Sequence, residues 1–459
     1  MVRKVDVMHF VFEEFKEDEG YGLNFIKCTD RNMCGTLRFG PSPIVNSIFF
    51  LRTRPGPHLI FSKNISLGLE PVNKPYIIAV GLPNSPNEWA GTDPKGIGTN
   101  KNFPGRESLF KYIPEQYVND LRSGRAYLLL DQSHEGYQTP WLWSWFHNNC
   151  DFYNISPSQI IYVTGNLDCT DQYTSWANSH GIDNRILTVP YTHFEGMVYE
   201  DASQRTNRVI SKLPELPTFE DHIKHKEQHL ENIKVYNALQ KRPRAHRAWI
   251  FNSLLKNDLL NDGINSMNSI EFKNTYFENQ VMDAGDYTAF SSMLPIVPLD
   301  NPTNSTVSDF TSINSGNYLQ HFNETIMLDS WLTVISEASF GDSEQTCFIS
   351  EKTFKPFACS HPFIIAGNKH SLARLHEMGY KTFSPFIDES YDNMSTWDRL
   401  NAIIEEILKI KRMPSKDRLD WFKQFESIFK YNLDVFHKNN RIDINPAIIR
   451  IYNYVSKSN

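Results

Sequence analysis

At roughly 100 to 200 residues per domain, a chain of 459 residues holds two or three domains, which excludes a peptide hormone, a disulfide mini-protein and a lone binding motif. Hydrophobic residues make up 40% of it and charged residues 22%, the balance of a folded chain rather than a disordered one. The net charge of −7 leaves no global basic field to draw it onto a polyanion, so contact with nucleic acid would need a local patch.

The amino-terminal stretch MVRKVDVMHFVFEEF carries acidic residues inside its apolar run. It reads as neither a signal peptide nor a spanning helix, and points to a cytoplasmic protein without membrane insertion. Short apolar runs then recur at 47 to 52, 76 to 82, 125 to 133, 159 to 166 and 185 to 190, each ending in polar or Gly residues. These are the buried strands of an α/β sheet. Segments of helical spacing lie between them at 108 to 124 and 169 to 181, the second opened by a Thr/Asp cap and closed by Gly. Strand, helix, strand in order implies parallel pairing in an open, wound sheet.

From about residue 217 the chain becomes highly charged and reads as a helix or linker, which places a domain boundary near residue 230: a first domain over 1–230 and a second over 231–459. The second half repeats the α/β theme. It has a strand at 234 to 240, helices at 247 to 263, 328 to 339 and around 351 to 360, a strand at 362 to 367 and a helix at 369 to 379. Two tandem α/β domains commonly enclose a ligand at the carboxyl ends of their strands. Two polar stretches, 82 to 106 and 283 to 318, are too long for ordinary connections and read as functional loops or flexible insertions.

Six cysteines (Cys28, Cys34, Cys150, Cys169, Cys347, Cys359) form no CxxC pair and no zinc-like spacing, so they read as reduced thiols and no metal site is expected. The densest constellation is Ser336-Glu337-Ala338-Ser339, then Ser350-Glu351-Lys352-Thr353-Phe354-Lys355-Pro356, then His361-Pro-Phe-Ile-Ile-Ala-Gly367. Glu351 stands where a loop enters a helix, so its carboxylate can accept hydrogen bonds from a ribose diol while helix-start amides and Lys352 face an anion. The bland reading is that Ser350 is an N-cap and Glu351 and Lys352 are solvated first-turn charges. Arg244, His246 and Arg247 stand between a strand and a helix, where guanidinium forks and helix-start amides can cradle a diphosphate, or form only a solvated basic turn. Arg247 is the preferred residue there, because Arg244 follows Pro243 and can point outward.

This ordered run resembles the donor-nucleotide signature of the α-1,3-fucosyltransferase family and of related phage and giant-virus glycosyltransferases. The match is close over about 40 residues, and looser over the rest of the 230 to 410 region. The resemblance implies a GT-B glycosyltransferase: two Rossmann-like domains facing each other across a cleft, with the sugar nucleotide on the carboxyl half and the acceptor on the amino half. It implies that Glu351 binds the ribose, Lys352 the diphosphate, and that Glu337 faces the sugar or ribose. Ala338 and Thr353 stand where fucosyltransferases have Asn and Leu, which leaves the sugar's identity open. Such enzymes work without a cofactor or metal.

The amino half offers Asp131, His134 and Glu135 at the carboxyl end of a central strand. Inverting transfer needs a base for the acceptor hydroxyl. Glu135 and Asp131 are the candidates, with Asp168 and Glu195 in reserve; against them, Asp131 can cap a helix and His134 can be a packed histidine. The Trp residues of 140 to 149 offer a stacking wall or, more commonly, core. Asp388, Glu389 and Asp392 offer a cation site or a capped loop. Because the resemblance is to viral proteins, one acceptor to weigh is a hydroxymethylated base in phage double-stranded DNA, with Lys95, Lys101 and Arg106 on phosphates; the protein would then work in the host cytoplasm. The rivals are a glycan, lipopolysaccharide or protein acceptor and, in another class, a non-catalytic carbohydrate- or nucleotide-binding protein. The chain has no P-loop, GxGxxG, GxSxG or HExxH motif.

Overall fold

The structure is a computed structural model, and it describes residues 9–12, 61–63, 76–81, 115–136, 142–206, 215–240, 244–267, 324–341, 346–440 and 445–457. The expected strand at 47 to 52, the stretches at 82 to 106 and 283 to 318, and Cys28, Cys34, Lys95, Lys101 and Arg106 lie outside the described residues. The chain forms two compact units, Met1–His193 with Arg441–Asn459, and Phe194–Asn440.

In the first unit, strands β1 (His9–Phe12), β2 (Phe61–Lys63), β3 (Tyr76–Gly81), β4 (Ala126–Gln132), β5 (Ile160–Thr164) and β6 (Leu187–Pro190) form one sheet in the order β2-β1-β3-β4-β5-β6. All its pairings are parallel. The period of two along each strand sorts its side chains onto two cores. Leu128, Leu130, Ile160 and Tyr162 pack with Val118, Leu142, Phe146 and Tyr173 of the helices Glu115–Arg122, Leu142–Tyr153 and Cys169–Ser179. Tyr127, Leu129, Ile161 and Val163 face the other way, against Ala447, Ile448, Ile451 and Val455 of the helix Pro446–Lys457. Parallel sheets need cover on both faces, and here the last helix of the chain returns to supply it. That helix was expected in the carboxyl-terminal domain. Tyr454 fastens it, its hydroxyl donating to the Ser158 carbonyl at 2.9 Å.

In the second unit, β7 (Tyr236–Leu239), β8 (Gly263–Ser266), β9 (Thr333–Gly341) and β10 (Phe363–Asn368) form a parallel sheet in the order β10-β9-β7-β8. The charged segment after 217 is the helix Phe219–Gln228, opened by a capping box between Thr218 and Asp221. It belongs to this unit and not to a linker, so residue 230 falls inside the unit rather than at its edge. Lys226 is fully buried there and donates to the carbonyls of Leu328 (2.9 Å) and Ser330 (2.8 Å), while His222 donates to the Cys359 carbonyl at 2.8 Å.

Two expected helices are corrected. The segment expected as a helix at 328 to 339 instead runs from the end of the short helix Glu324–Leu328 into β9, which starts at Thr333. Its run WLTVIS is buried on both faces, so it shows no alternation, and its apolar spacing also satisfies a helix. The helix expected at 247 to 263 is Ala245–Lys256; a turn and the short 3-10 helix Leu260–Asp262 follow it, and β8 begins at Gly263.

The acidic run at 388 to 392 is a capped loop. Asp392 accepts from the amides of Leu372 (3.1 Å) and Ala373 (3.2 Å), and Glu389 accepts from Thr382 Oγ1 (2.5 Å) and the Phe383 amide (2.7 Å). Trp143 and Trp145 are core residues. Cys150, Cys169, Cys347 and Cys359 are buried free thiols, and burial pushes those of Cys150 and Cys169 up to about 12.

Candidate functional site

The SEAS tetrapeptide lies at the carboxyl end of β9, where the pairing with β10 jumps from Ala366↔Ser336 to Asn368↔Gly341. Residues 337 to 340 of β9 therefore span what Gly367 alone spans on β10, a bulge that bends the strand out of the ladder. A bulge frees backbone groups, and here charged side chains take them up. Arg244 donates to the Ala338 carbonyl; Arg247 Nη2 donates to the carbonyls of Ser336 and Glu337, both at 3.1 Å; His246 Nε2 donates to the Glu337 carbonyl at 3.1 Å. Arg399, fully buried, donates to the Gly367 carbonyl at 2.5 Å and the Met394 carbonyl at 3.3 Å. Phe340 stacks on His246 with ring centroids 4.8 Å apart and lies 5.1 Å from the Arg399 guanidinium. Burial, then the positive charge of Arg247, holds the His246 ring well below the ordinary histidine range.

Glu337 was expected to face the sugar or ribose, and it is instead fully buried in the scaffold. Its Oε1 accepts from the Ser350 amide (3.0 Å) and Thr353 Oγ1 (2.6 Å), and its Oε2 from Ser350 Oγ and the Ala338 amide. An anion at the start of a helix complements the helix dipole. Thus the carboxylate pins the first turn of the helix Glu351–Ala358 to the carboxyl end of β9.

Ser350 is the N-cap of that helix. Lys352, part-exposed, donates from Nζ to Ser350 Oγ (2.9 Å) and Glu351 Oε1 (3.0 Å). Burial pushes the Glu351 carboxyl up, but the charges of Lys352 and Lys355 and the Lys352 hydrogen bond outweigh it and leave it below its usual range. Glu351 is an anion in a buried, cationic setting. The expected pair is thus placed together at one helix start. Of the two arginines, Arg244 is the exposed one at the N-cap position, as its place after Pro243 suggested, and Arg247 is the buried one on strand carbonyls, because the third helical residue faces the sheet.

In the first unit, Asp131 ends β4 fully buried, its Oδ1 accepting from the Ser133 amide at 2.9 Å. Glu135 is part-buried; its backbone carbonyl accepts from the Gly165 amide (3.0 Å) and Thr164 Oγ1 (3.3 Å). Sequence reasoning missed His193, the first residue of the helix His193–Thr206 after β6, although the Thr-His-Phe-Glu segment had drawn attention to Glu195. Burial pushes the His193 imidazole down to about 4; the Asp131 carboxylate pulls the other way and His134 adds to the lowering. The His134 ring is likewise lowered by burial, against Asp131. The reserve carboxylate Glu195 is buried in the second unit, accepting from the Tyr380 hydroxyl at 2.5 Å and Asn439 Nδ2 at 3.1 Å, and Asp168 stands at the N-cap position of the helix Cys169–Ser179. Among the described residues no group of three His, Cys, Asp or Glu side chains is placed to hold a metal ion, and no helix is long and apolar enough to cross a membrane.

No family model and no curated protein matches the sequence. Among solved structures the chain is similar to an α,α-trehalose-phosphate synthase (UDP-forming) from Burkholderia vietnamiensis, with a TM-score of 0.35 and 8% identity over 74% of this chain and 69% of that one. An α,α-trehalose 6-phosphate synthase from Burkholderia multivorans has a TM-score of 0.33 and 11% identity over 77% of this chain and 79% of its own. Likenesses of this size carry no argument about the chemistry, which rests on the residues above.

Proposed function

We propose that the protein is a nucleotide-sugar glycosyltransferase of GT-B organisation, moving a sugar from a nucleoside diphosphate onto a hydroxyl acceptor with inversion. The observation that carries this reading is the helix start at Ser350, Glu351 and Lys352, pinned by Glu337 to the carboxyl end of a parallel strand. Ligands of wound sheets bind at that edge. Glu351 offers a carboxylate to a ribose diol, and Lys352 with the helix-start amides offers positive charge where a leaving diphosphate develops its own. Arg244, exposed beside the bulge, adds a guanidinium to the same edge.

For the acceptor, the net charge of −7 favours a glycan, lipopolysaccharide or protein hydroxyl over a hydroxymethylated base of duplex DNA. Salt separates the two, since DNA binding weakens steeply with ionic strength and neutral glycan binding does not.

The test is a thermal-shift screen against UDP-, GDP-, ADP-, CMP- and dTDP-sugars, repeated with Glu351→Ala and Lys352→Ala. A ligand that binds only the native state raises its stability by mass action. One nucleotide stabilising the wild type and neither variant is the expected result. No shift with any of them removes the donor site and leaves the binding-protein reading.

A further inference from the structure

The helix Glu351–Ala358, whose start is pinned by Glu337, is held at its other end by a fully buried cluster of three basic side chains, His222, Lys226 and His361. His222 Nε2 donates at 2.8 Å to the carbonyl of Cys359, the C-cap of that helix, and the His361 amide donates to the Pro356 carbonyl at 3.0 Å. His361 Nε2 donates at 3.0 Å to the Ser330 carbonyl, which also accepts from Lys226 Nζ at 2.8 Å. The second nitrogen of each ring is an acceptor. His222 Nδ1 faces the Lys226 ammonium at 3.5 Å, and His361 Nδ1 takes the Thr333 hydroxyl hydrogen at 3.0 Å while Thr333 Oγ1 accepts from Asn237 Nδ2 at 2.9 Å. The two rings lie 5.3 Å apart, and Phe422 packs against both. Lys226 sits there as a cation, with the carbonyls of Leu328 and Ser330 as acceptors and the Trp331 and Phe422 rings 5.2 and 4.8 Å from Nζ.

Both imidazoles are therefore built in as neutral rings that donate from Nε2. A proton added at Nδ1 turns an acceptor into a donor, sets it against an ammonium or a hydroxyl hydrogen, and puts a further charge where water does not reach. The surrounding ionisable groups are engaged elsewhere. Asp329, whose charge acts on Lys226, is bonded to His225 at 2.7 Å, beside His229, on the partly exposed side of the helix Phe219–Gln228. Glu227 pairs with Lys423 of the helix Ser415–Lys423, and Cys359 is a buried thiol. Burial and then the Lys226 charge hold the His222 ring well below the ordinary histidine range, and the same two causes bring His361 down to about 3.

We propose that His222, Lys226 and His361 form an acid-sensitive latch that holds the carboxyl end of the helix Glu351–Ala358 at neutral pH and lets it go as the surroundings turn mildly acidic. Its bearing on the donor rests on the glycosyltransferase reading, because the same helix begins with Glu351 and Lys352. Below about pH 6.5 the opened chain binds protons that the closed chain refuses, so closure is fully favoured above that value and is lost as pH falls.

The test is hydrogen exchange read by mass spectrometry on the full chain without ligand, at about pH 7 and about pH 5.5, corrected for the intrinsic exchange rate. Each imidazole that regains an ordinary pKa on opening should raise the opening constant roughly eightfold over this interval, and the two together about seventyfold. Residues 219–228 and 351–361 are expected to lose protection by that factor, while 126–132 of the first sheet keep theirs. His222→Gln and His361→Gln should each cut the loss to about eightfold, a ratio that is readable even where a variant is looser at both pH values. Glu389 gives the unit an opposite pH dependence over part of this range, so the latch is read from the difference between wild type and variants. Unchanged protection of the two segments in the wild type overturns the latch. So does an equal fall in the wild type and both variants, or an equal fall at 126–132, which is general acid unfolding. No nucleotide enters this experiment, so failure of the donor reading leaves its result standing. The link to the donor is read separately, from stabilisation by a sugar nucleotide that weakens in acid more in the wild type than in the variants; equal weakening overturns the link.

Discussion

At the carboxyl edge of β9 and β10, the buried charges Glu337, Arg247 and Arg399 bind backbone groups of their own unit, stitching a bulge and a helix start into a rigid frame. At the carboxyl edge of β4 to β6, the Asp131 carboxylate accepts from the Ser133 amide of its own turn, and the segments that follow β4 and β6 carry the part-buried His134 and His193. The same topological position carries buried scaffold charges in one unit and part-buried histidines in the other. The difference teaches that a charged residue at a strand end is not by itself a ligand contact. Where its hydrogen bonds go decides what it does.

The comparison can be broken most severely at Glu337. Replacing it with Ala strands the Ser350 amide and hydroxyl and the Thr353 hydroxyl, all buried, and is expected to cost about 3–5 kcal/mol of unfolding free energy in urea. It should abolish nucleotide-induced stabilisation as well. A loss under about 1 kcal/mol would show that the carboxylate does not hold the frame.

Arg399→Met should follow, at about 2–4 kcal/mol, since it leaves the Gly367 and Met394 carbonyls without their donor. The same denaturation measurement reads it.

A pH experiment sharpens the frame's outer layer. Burial, which outweighs its hydrogen bonds from Thr382 and Phe383, raises the Glu389 carboxyl from 4.5 to about 7. Between those values the folded chain holds a proton that the unfolded chain has released, so stability falls as pH rises through this window, by up to about 3 kcal/mol. Glu389→Gln should flatten that slope, read from unfolding curves at several pH values. An unchanged slope would remove Glu389 as its source.

The smallest stability effect is expected at Lys352. Its side chain is 30% exposed, so Lys352→Ala should change unfolding free energy by less than about 1 kcal/mol. It should nevertheless weaken nucleoside diphosphate binding about tenfold or more by calorimetry, given the strength of charge-assisted contacts. An unchanged affinity would place Lys352 with the scaffold rather than with the site.

Much of this was legible from local signals. The runs YIIAVG, AYLLLDQ, IIYVT and FIIAGN announce buried parallel strands because both faces of such a sheet select apolar residues. Ser350, Glu351 and Lys352 announce a capped helix start because capping depends on residues a few positions apart. What local pattern misread was β9, whose doubly buried run satisfies strand and helix alike until β7 and β10 pair with it.

The sequence by itself determined the α/β class, most of the strands and the helix start that carries the proposed donor site, since each follows from periodicity or from neighbours within one turn. Only the tertiary structure decided that Glu337 and Arg247 bond to groups of their own unit and that the last helix covers the first sheet. Those outcomes depend on which strands lie side by side. Residues as far apart as Glu337 and Thr353, or Arg399 and Gly367, meet through sheet order and the burial of polar groups, neither of which leaves a periodic trace along the chain.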